Sequence, residues 1–340
     1  MPKKKPKAYI YPITGRKGSI PNPYIQGVIG SLSPMYQFVN RDKPSNSGIL
    51  DLLKYFIKVD ILFLNWPEEI PGKKGGFIQS VVYRFLILYF RFTGKKIVWT
   101  LHNKQSHYNS NFWLKGRVIN FTARKANLII THASEGIELA KTLSGDNKKD
   151  ILFTHHPMKS LKEPIRNIKK KYDILIWGTV APYKGVDDFL EELNKRKVTN
   201  LRILIAGKIV RDWLREKILS LKTESIEIID RFIDEEELEK FIYESKIVLF
   251  TYQTTSILSS GVLMDSLVYS PRIIGPDFGA FHDLSKEGII KSYKNFDELF
   301  GIIPELLSDH SDIPLRIRDF YEENSWENFG INVEKRLSSR

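Results

Sequence analysis

One recurrence organises this chain: short, nearly unbroken apolar runs rich in β-branched residues, each followed by a longer stretch of helical periodicity. "AYIYPI", "VDILFLNW", "KIVWTL" and "NLIITH" come first, then "YDILIWG", "LRILIAG", "SIEIID", "KIVLFTY" and "PRIIG". A strand that is apolar at nearly every position has both of its faces covered. Alternation with helices therefore predicts βαβ units and a parallel sheet, and the series runs through twice. At 340 residues the chain exceeds one typical core, so two domains follow. We expect an N-terminal Rossmann-like domain over 1–156, a linker over 157–171, a second Rossmann-like domain over 172–312, and a helical segment over 313–340 that packs back across the boundary. The linker lies in "HHPMKSLKEPIRNIKKKYD", which has two prolines and six Lys or Arg. Two such sheets turn the loop-bearing ends of their strands toward a shared cleft, where ligands of open α/β sheets bind.

Absence of cysteine removes disulfides and thiolate metal sites and fits a reducing compartment. The start, "MPKKKPK", is basic with no apolar core behind it, so no secretory signal is expected. The expected location is the cytoplasm, at the inner face of the membrane. The net charge of +12 is uneven, with 24 Lys+Arg against 9 Asp+Glu in residues 1–150 and a slightly acidic remainder. Such a field suits nucleic acid, an anionic membrane or a phosphorylated substrate, and composition does not choose among them. Neither G-x-G-x-x-G after the first strand, nor G-x-x-x-x-G-K-[ST], nor H-E-x-x-H occurs, which sets aside a dehydrogenase, a P-loop NTPase and a zincin.

Several loops carry candidate chemistry. "SSGVLMDSL", Ser259 to Leu267, puts two hydroxyls and a glycine before a helical pattern with Asp265 one turn in. It reads as an ordinary helix start, or as a phosphate site that uses the unpaired N–H groups of Ser260 to Val262. "WGTVAPYKG" places Lys184 at the carboxyl end of a parallel strand, and "IAGK" offers Lys208 as a weaker partner. In the first half, His102 and Asn103 follow "KIVWTL", while Trp66 at the end of "VDILFLNW" and Glu68 just after it offer an apolar platform and a carboxylate. Asn22 and Tyr24 read as an N-cap and helix start. His155 and His156 are adjacent, point apart on a strand and have no carboxylate cluster near them in the sequence, so no metal is expected there. "GFIQSVVYRFLILYFRF", residues 76–92, is too short and too charged to span a bilayer. It reads as a crossover helix between strands, or as an interfacial helix on acidic lipid.

Taken together, "GTVAPYKG", "RFIDEEELEKFIYESKIVLFTY" and "SSGVLMDSLVYSPRIIGPDFGAFHDL" resemble, in consistent order, the donor-binding half of family 4-like nucleotide-sugar glycosyltransferases with the GT-B fold. "NPYIQGVIGSL", "LNWPE" and "WTLHNKQSH" match the acceptor half more loosely. The resemblance implies an α/β architecture of two Rossmann-like domains. It implies transfer of a sugar from a nucleoside diphosphate sugar to a glycan or lipid-linked saccharide in cell-surface polysaccharide synthesis, with no metal and no cofactor. It puts Lys184, Ser260, Gly261, Val262 and Lys208 on the diphosphate, Asp265 on the ribose, and Phe232 and Ile233 on the base. Trp66, Asn103, Asn22 and Tyr24 fall on the acceptor side. Ile257 stands where the family has the first glutamate of E-x7-E, and Thr179 where it often has an arginine. If the reaction inverts, His102 or Glu68 is the base; if it retains, the leaving phosphate takes the acceptor proton. Two other classes remain: a non-catalytic nucleotide-sugar-binding partner of another transferase, which accounts for Ile257, and a basic nucleic-acid-binding protein, although no RNA-binding motif is present.

Overall fold

The computed structural model describes residues 4–13, 22–104, 112–163, 168–253, 257–308 and 314–339. Residues 1–3 of the basic start, 105–107 of "WTLHNKQSH" and 164–167 of the expected linker lie outside the described residues. The chain forms two compact units. Unit 1 is Met1–Pro157 with Ser256–Ser259 and Asn324–Arg340, and unit 2 is Met158–Thr255 with Ser260–Glu323.

Unit 1 runs β1 (Lys7–Tyr11), α1 (Pro23–Leu32), β2 (Gln37–Phe38), β3 (Ile61–Asn65), α2 (Gly76–Phe92), β4 (Lys96–Leu101), α3 (Phe112–Lys125), β5 (Leu128–Thr131), α4 (Glu135–Ser144) and β6 (Ile151–Phe153). Its six strands are all parallel, in the order β2-β1-β3-β4-β5-β6. Successive side chains point to opposite faces, and each face has its own core. Tyr9, Tyr11, Leu62, Leu64 and Trp99 pack with Tyr83, Leu86 and Phe90 of α2. Ala8, Ile10, Ile61, Phe63 and Val98 pack on the other side with Ile25 and Ile29 of α1. Each Val, Leu, Ile or Phe among them contributes roughly 1.5–3 kcal/mol on full burial, which is why the runs are apolar at consecutive positions.

Unit 2 runs β7 (Tyr172–Trp177), α5 (Val186–Lys195), β8 (Ile203–Ala206), α6 (Asp212–Ser220), β9 (Ile226–Ile229), α7 (Glu235–Glu244), β10 (Ser245–Leu249), α8 (Gly261–Leu267), β11 (Arg272–Pro276), α9 (Gly279–Lys286), β12 (Lys291–Tyr293), α10 (Phe296–Ser308) and α11 (Pro314–Glu323). The strand order is β12-β11-β10-β7-β8-β9, again all parallel. The chain builds outward from β7 to β9, then returns to lay β10 on the other side of β7. That reversal is a topological switch point, the place where open α/β sheets bind ligands.

The last helix, α12 (Trp326–Ser338), belongs to unit 1 and is capped by Ser325, whose hydroxyl accepts from the Asn328 N–H at 3.2 Å. It packs on α1. A Cβ on Gly27 would overlap the Trp326 ring and one on Gly330 would overlap the Ser31 carbonyl, so these two glycines permit the close approach. Arg336 Nε lies 3.0 Å from the Asp150 carboxylate and fixes the far end.

Ser256–Ser259 is a short excursion into unit 1. Ile257 forms an antiparallel bridge with Asn103, and Leu258 is fully buried in the core around α2.

Candidate functional site

In unit 2 the loops leaving β7 and β10 meet at the switch point. The first makes a single 3-10 turn, Pro182–Lys184, and Gly185 then turns it into α5 with a left-handed φ of 61°. The second is stitched to it, because the Thr251 hydroxyl donates to the Lys184 carbonyl at 2.6 Å and the Gln253 N–H to the Tyr183 carbonyl at 3.2 Å. Lys184 is only 5% exposed. Its Nζ lies 5.4 Å from the centre of the Tyr252 ring, and among the described residues no carboxylate pairs with it. Burial alone pulls its pKa down to about 8. A Cβ on Gly178 would stand 3.3 Å from that Nζ and 3.4 Å from a methyl of Val262, so the missing side chain leaves a space bordered by both. Tyr252 and Ser260 hydroxyls are 3.2 Å apart, and Ser260 caps α8 by accepting from the Leu263 N–H at 3.4 Å.

The remaining donor-side candidates differ in setting. Gly261 is exposed, with nothing within 4 Å of where a Cβ would sit. Asp265 is half-exposed on α8 and 3.4 Å from Lys159 Nζ. Lys208 follows β8 but lies 3.4 Å from Asp230, a carboxylate that also accepts from the Ile209 N–H and from Arg215. Its charge is thus already answered, unlike that of Lys184. A bridge between Val180 and Ile209, with the Ile209–Asp230 bond, joins the loops after β7, β8 and β9 into one edge. On the last of them Phe232 is 73% exposed while Ile233 is buried. On the other side of the switch point a cavity of about 400 Å³ opens beside Tyr252, Gln253, Asp277, Phe278 and Lys294. Ile257, aligned by resemblance with a donor-binding glutamate, is instead buried, on a segment that clusters with unit 1, so an apolar residue suits the place it occupies.

In unit 1 the carboxyl ends of β3, β4 and β5 gather an imidazole and aromatic cluster. Asn22 caps α1, its side chain accepting from the Tyr24 N–H at 2.9 Å, and so turns Tyr24 inward. The Tyr24 hydroxyl is 2.8 Å from His132 Nε2, whose other nitrogen donates to the Thr154 carbonyl at 2.9 Å; His132 Nε2 therefore accepts from the tyrosine. His102 stacks on Trp66 at 4.2 Å and 17°, so one face of the expected platform is occupied by imidazole. Tyr24 meets the His102 ring edge-on at 4.7 Å. The Asn65 amide nitrogen donates to the Tyr11 carbonyl at 3.4 Å, which leaves its oxygen to accept from His102 Nε2–H at 3.0 Å. Among the described residues His102 Nδ1 has no partner. Burial, reinforced by His132 and His156, holds the His102 pKa well below 6.5, and burial takes His132 to about 3. Both rings are neutral at pH 7.

Glu68 sits in a 3-10 segment, Pro67–Gly72, which begins after Trp66 in a left-handed conformation at φ 47°. Burial raises its carboxyl to about 7, helped by Glu69 and opposed by Lys115. Asn103 is held by its bridge to Ile257. Sequence reasoning missed Asn65, His132 and Trp326, and it weighed His156 only as a metal ligand on a strand, whereas β6 ends at Phe153 and the His156 ring packs on Tyr24 and His132. His132 ends β5 as His102 ends β4, and that shared position was the available signal. Trp326 reaches Tyr24 at 5.6 Å from a helix about three hundred residues away in sequence, and no local pattern announces it.

No protein-family profile matches the chain. A curated relative, the GDP-mannose:glycolipid 4-beta-D-mannosyltransferase of Xanthomonas campestris pv. campestris, is 24% identical over 163 residues, 46% of this chain and 44% of that protein. The match thus spans less than half of that relative's length. Among solved structures, HepE of Anabaena in complex with UDP superposes with a TM-score of 0.70 at 12% identity, covering 98% of this chain and all of that one. Sucrose-phosphate synthase of Thermosynechococcus elongatus superposes with a TM-score of 0.71 at 12% identity, covering 99% of each. With both sheets matched over the full chain, the fold is that of the GT-B glycosyltransferases.

Proposed function

We propose that this chain, built on the GT-B glycosyltransferase fold, takes a sugar from a nucleoside diphosphate donor held by unit 2 and passes it to a glycan or lipid-linked saccharide held by unit 1. Lys184 carries the reading. A buried ammonium with no counter-charge is costly, and at a switch point it is answered by an incoming phosphate. As the bond from the sugar C1 to the phosphate oxygen breaks, negative charge grows on the diphosphate. A preorganised cation in a dry site stabilises that charge. This is the work a divalent ion does elsewhere, so we assign the reaction no metal and no cofactor. Asp265 would accept the ribose hydroxyls, Ser260 to Val262 would face the diphosphate, and Phe232 and Ile233 would flank the base. The cavity beside Tyr252 has room for the sugar.

On the acceptor side we assign the proton to His102 Nδ1. The ring is neutral at pH 7, held in one tautomer by Asn65, and its Nδ1 lone pair is directed away from that bond. The choice of His102 rests on this geometry; Glu68, whose carboxyl burial raises to about 7, is the alternative base. The acceptor oxygen bonds to C1 as its proton passes to Nδ1. The glycolipid in the mannosyltransferase's name supports a lipid-linked acceptor, and hence a place at the inner membrane face in polysaccharide assembly. His102→Gln should keep nucleoside diphosphate binding in calorimetry and lose transfer by roughly 10²–10⁴-fold. Full transfer by the variant reassigns the proton to Glu68 or to the leaving phosphate, and Glu68→Gln in the same background tells these two apart. Binding without transfer in the parent, across donors and membrane-lipid acceptors, makes the chain a non-catalytic binder.

A further inference from the structure

Helix α2 has two apolar faces. One, with Tyr83, Leu86, Ile87 and Phe90, is buried in the core of unit 1. The other shows Phe77, Ile78, Val81, Phe85, Leu88 and Phe92 to solvent at 49–93% exposure. Their spacing makes one stripe along a helix of 17 residues, roughly 25 Å long. A solvated stripe of this size marks a contact surface. Ile57 is also exposed, and its neighbour Phe56 meets Tyr89 of α2 at 4.8 Å.

The charges around the stripe identify what covers it. Between Glu69 and Glu135 the sequence has no acidic residue and eleven Lys or Arg. Arg84 and Arg91 lie exposed on α2 itself, and on α3 the exposed Trp113 carries the Arg117 guanidinium 3.5 Å from its ring centre. A second copy of this chain would bring the same cations face to face. Nucleic acid would use the cations and leave six apolar side chains wet. An anionic bilayer uses both, since acyl chains take the stripe and headgroup phosphates take the arginines. The helix does not cross: among the described residues none is long and apolar enough to do so.

We propose that the outer face of α2 docks unit 1 on an anionic phospholipid surface. The binding stands independently of donor chemistry, and it rests on the function proposed above only for its purpose, access to a lipid-linked acceptor. The test is cosedimentation of the full chain with phosphatidylcholine vesicles containing increasing phosphatidylglycerol, using the parent, a Phe77→Ser/Phe85→Ser/Phe92→Ser variant and an Arg84→Gln/Arg91→Gln variant. The parent should bind anionic vesicles and not neutral ones, and lose binding as salt rises. The serine variant should bind roughly tenfold or more weakly, and the glutamine variant should lose part of the salt dependence. Unchanged circular dichroism and unchanged nucleoside diphosphate affinity in both variants separate docking from folding and from donor binding. Equal recovery on neutral and anionic vesicles, no recovery on either at low salt, or parental binding by the serine variant overturns the proposal. So does a parent that is dimeric in solution, fails to bind vesicles, and becomes monomeric with the serine substitutions; that result assigns the stripe to a second copy.

Discussion

Lys184 gives unit 2 a pH dependence of distinctive sign. A lysine in the unfolded chain titrates near 10.4, whereas burial brings this one to about 8. Between those values the unfolded chain binds more protons than the fold, so stability without ligand rises with pH across the window; below about 8 both forms are charged and the fold bears the desolvation cost. A bound diphosphate reverses the preference, because it stabilises the ammonium. Affinity for a nucleoside diphosphate should therefore fall as pH rises above about 8, and binding near pH 9.5 should take up a proton. Calorimetry in two buffers of different ionisation enthalpy reads that proton directly. Lys184→Met should abolish the uptake and weaken binding by roughly 1.5–3 kcal/mol, the worth of hydrogen bonds to a charged group. An identical heat in both buffers for the parent would mean that Lys184 does not meet the phosphate.

At the scale of single elements, the strand ends of unit 1 hold their side chains through partners that come from far along the chain. Asn65, at the end of β3, sets the tautomer of His102 after β4. Replacing its neutral oxygen by a carboxylate in Asn65→Asp should favour the imidazolium and raise the His102 pKa, which burial and two neighbouring histidines hold well below 6.5. Histidine ring resonances followed by NMR across pH 4–8 check this, and a ring that titrates alike in parent and variant rules out the positioning. The same elements show what was legible in the sequence. The unbroken apolar runs announced parallel strands, because both faces of each sheet are buried and every position pays the same penalty for polarity. Lys184, His102 and the Asn22 cap were legible because each follows a strand or opens a helix. The excursion of Ser256–Ser259 was not, since four residues carry no periodicity. Trp326 was hidden for another reason, since its setting depends on a contact with Tyr24; the place of His132 after β5 was a signal, but its bond to Tyr24, 108 residues away in sequence, was not legible.

For the whole molecule, charge and chemistry are divided between the units. The basic surplus lies in residues 1–150, while the buried ammonium at the switch point lies in the remainder, which is slightly acidic. The proposed diphosphate recognition is therefore assigned to short-range contacts with Lys184 and the backbone around Gly178 and Ser260, within unit 2. Two consequences follow for the intact chain. With divalent ions removed by chelation, a nucleoside diphosphate at ~100 times its dissociation constant should add roughly 2.7 kcal/mol to the stability of the unit that binds it. Because the units have separate cores, the protection should be local, with hydrogen exchange slowed at 178–185, 250–253 and the start of α8 and unchanged across β1 to β6. Screening UDP, GDP, ADP, CDP and TDP by thermal shift, followed by exchange on the best of them, carries out the measurement. Stabilisation that appears only when magnesium is restored would move the positive charge from Lys184 to a bound ion, and slowed exchange confined to unit 1 would move the donor site itself.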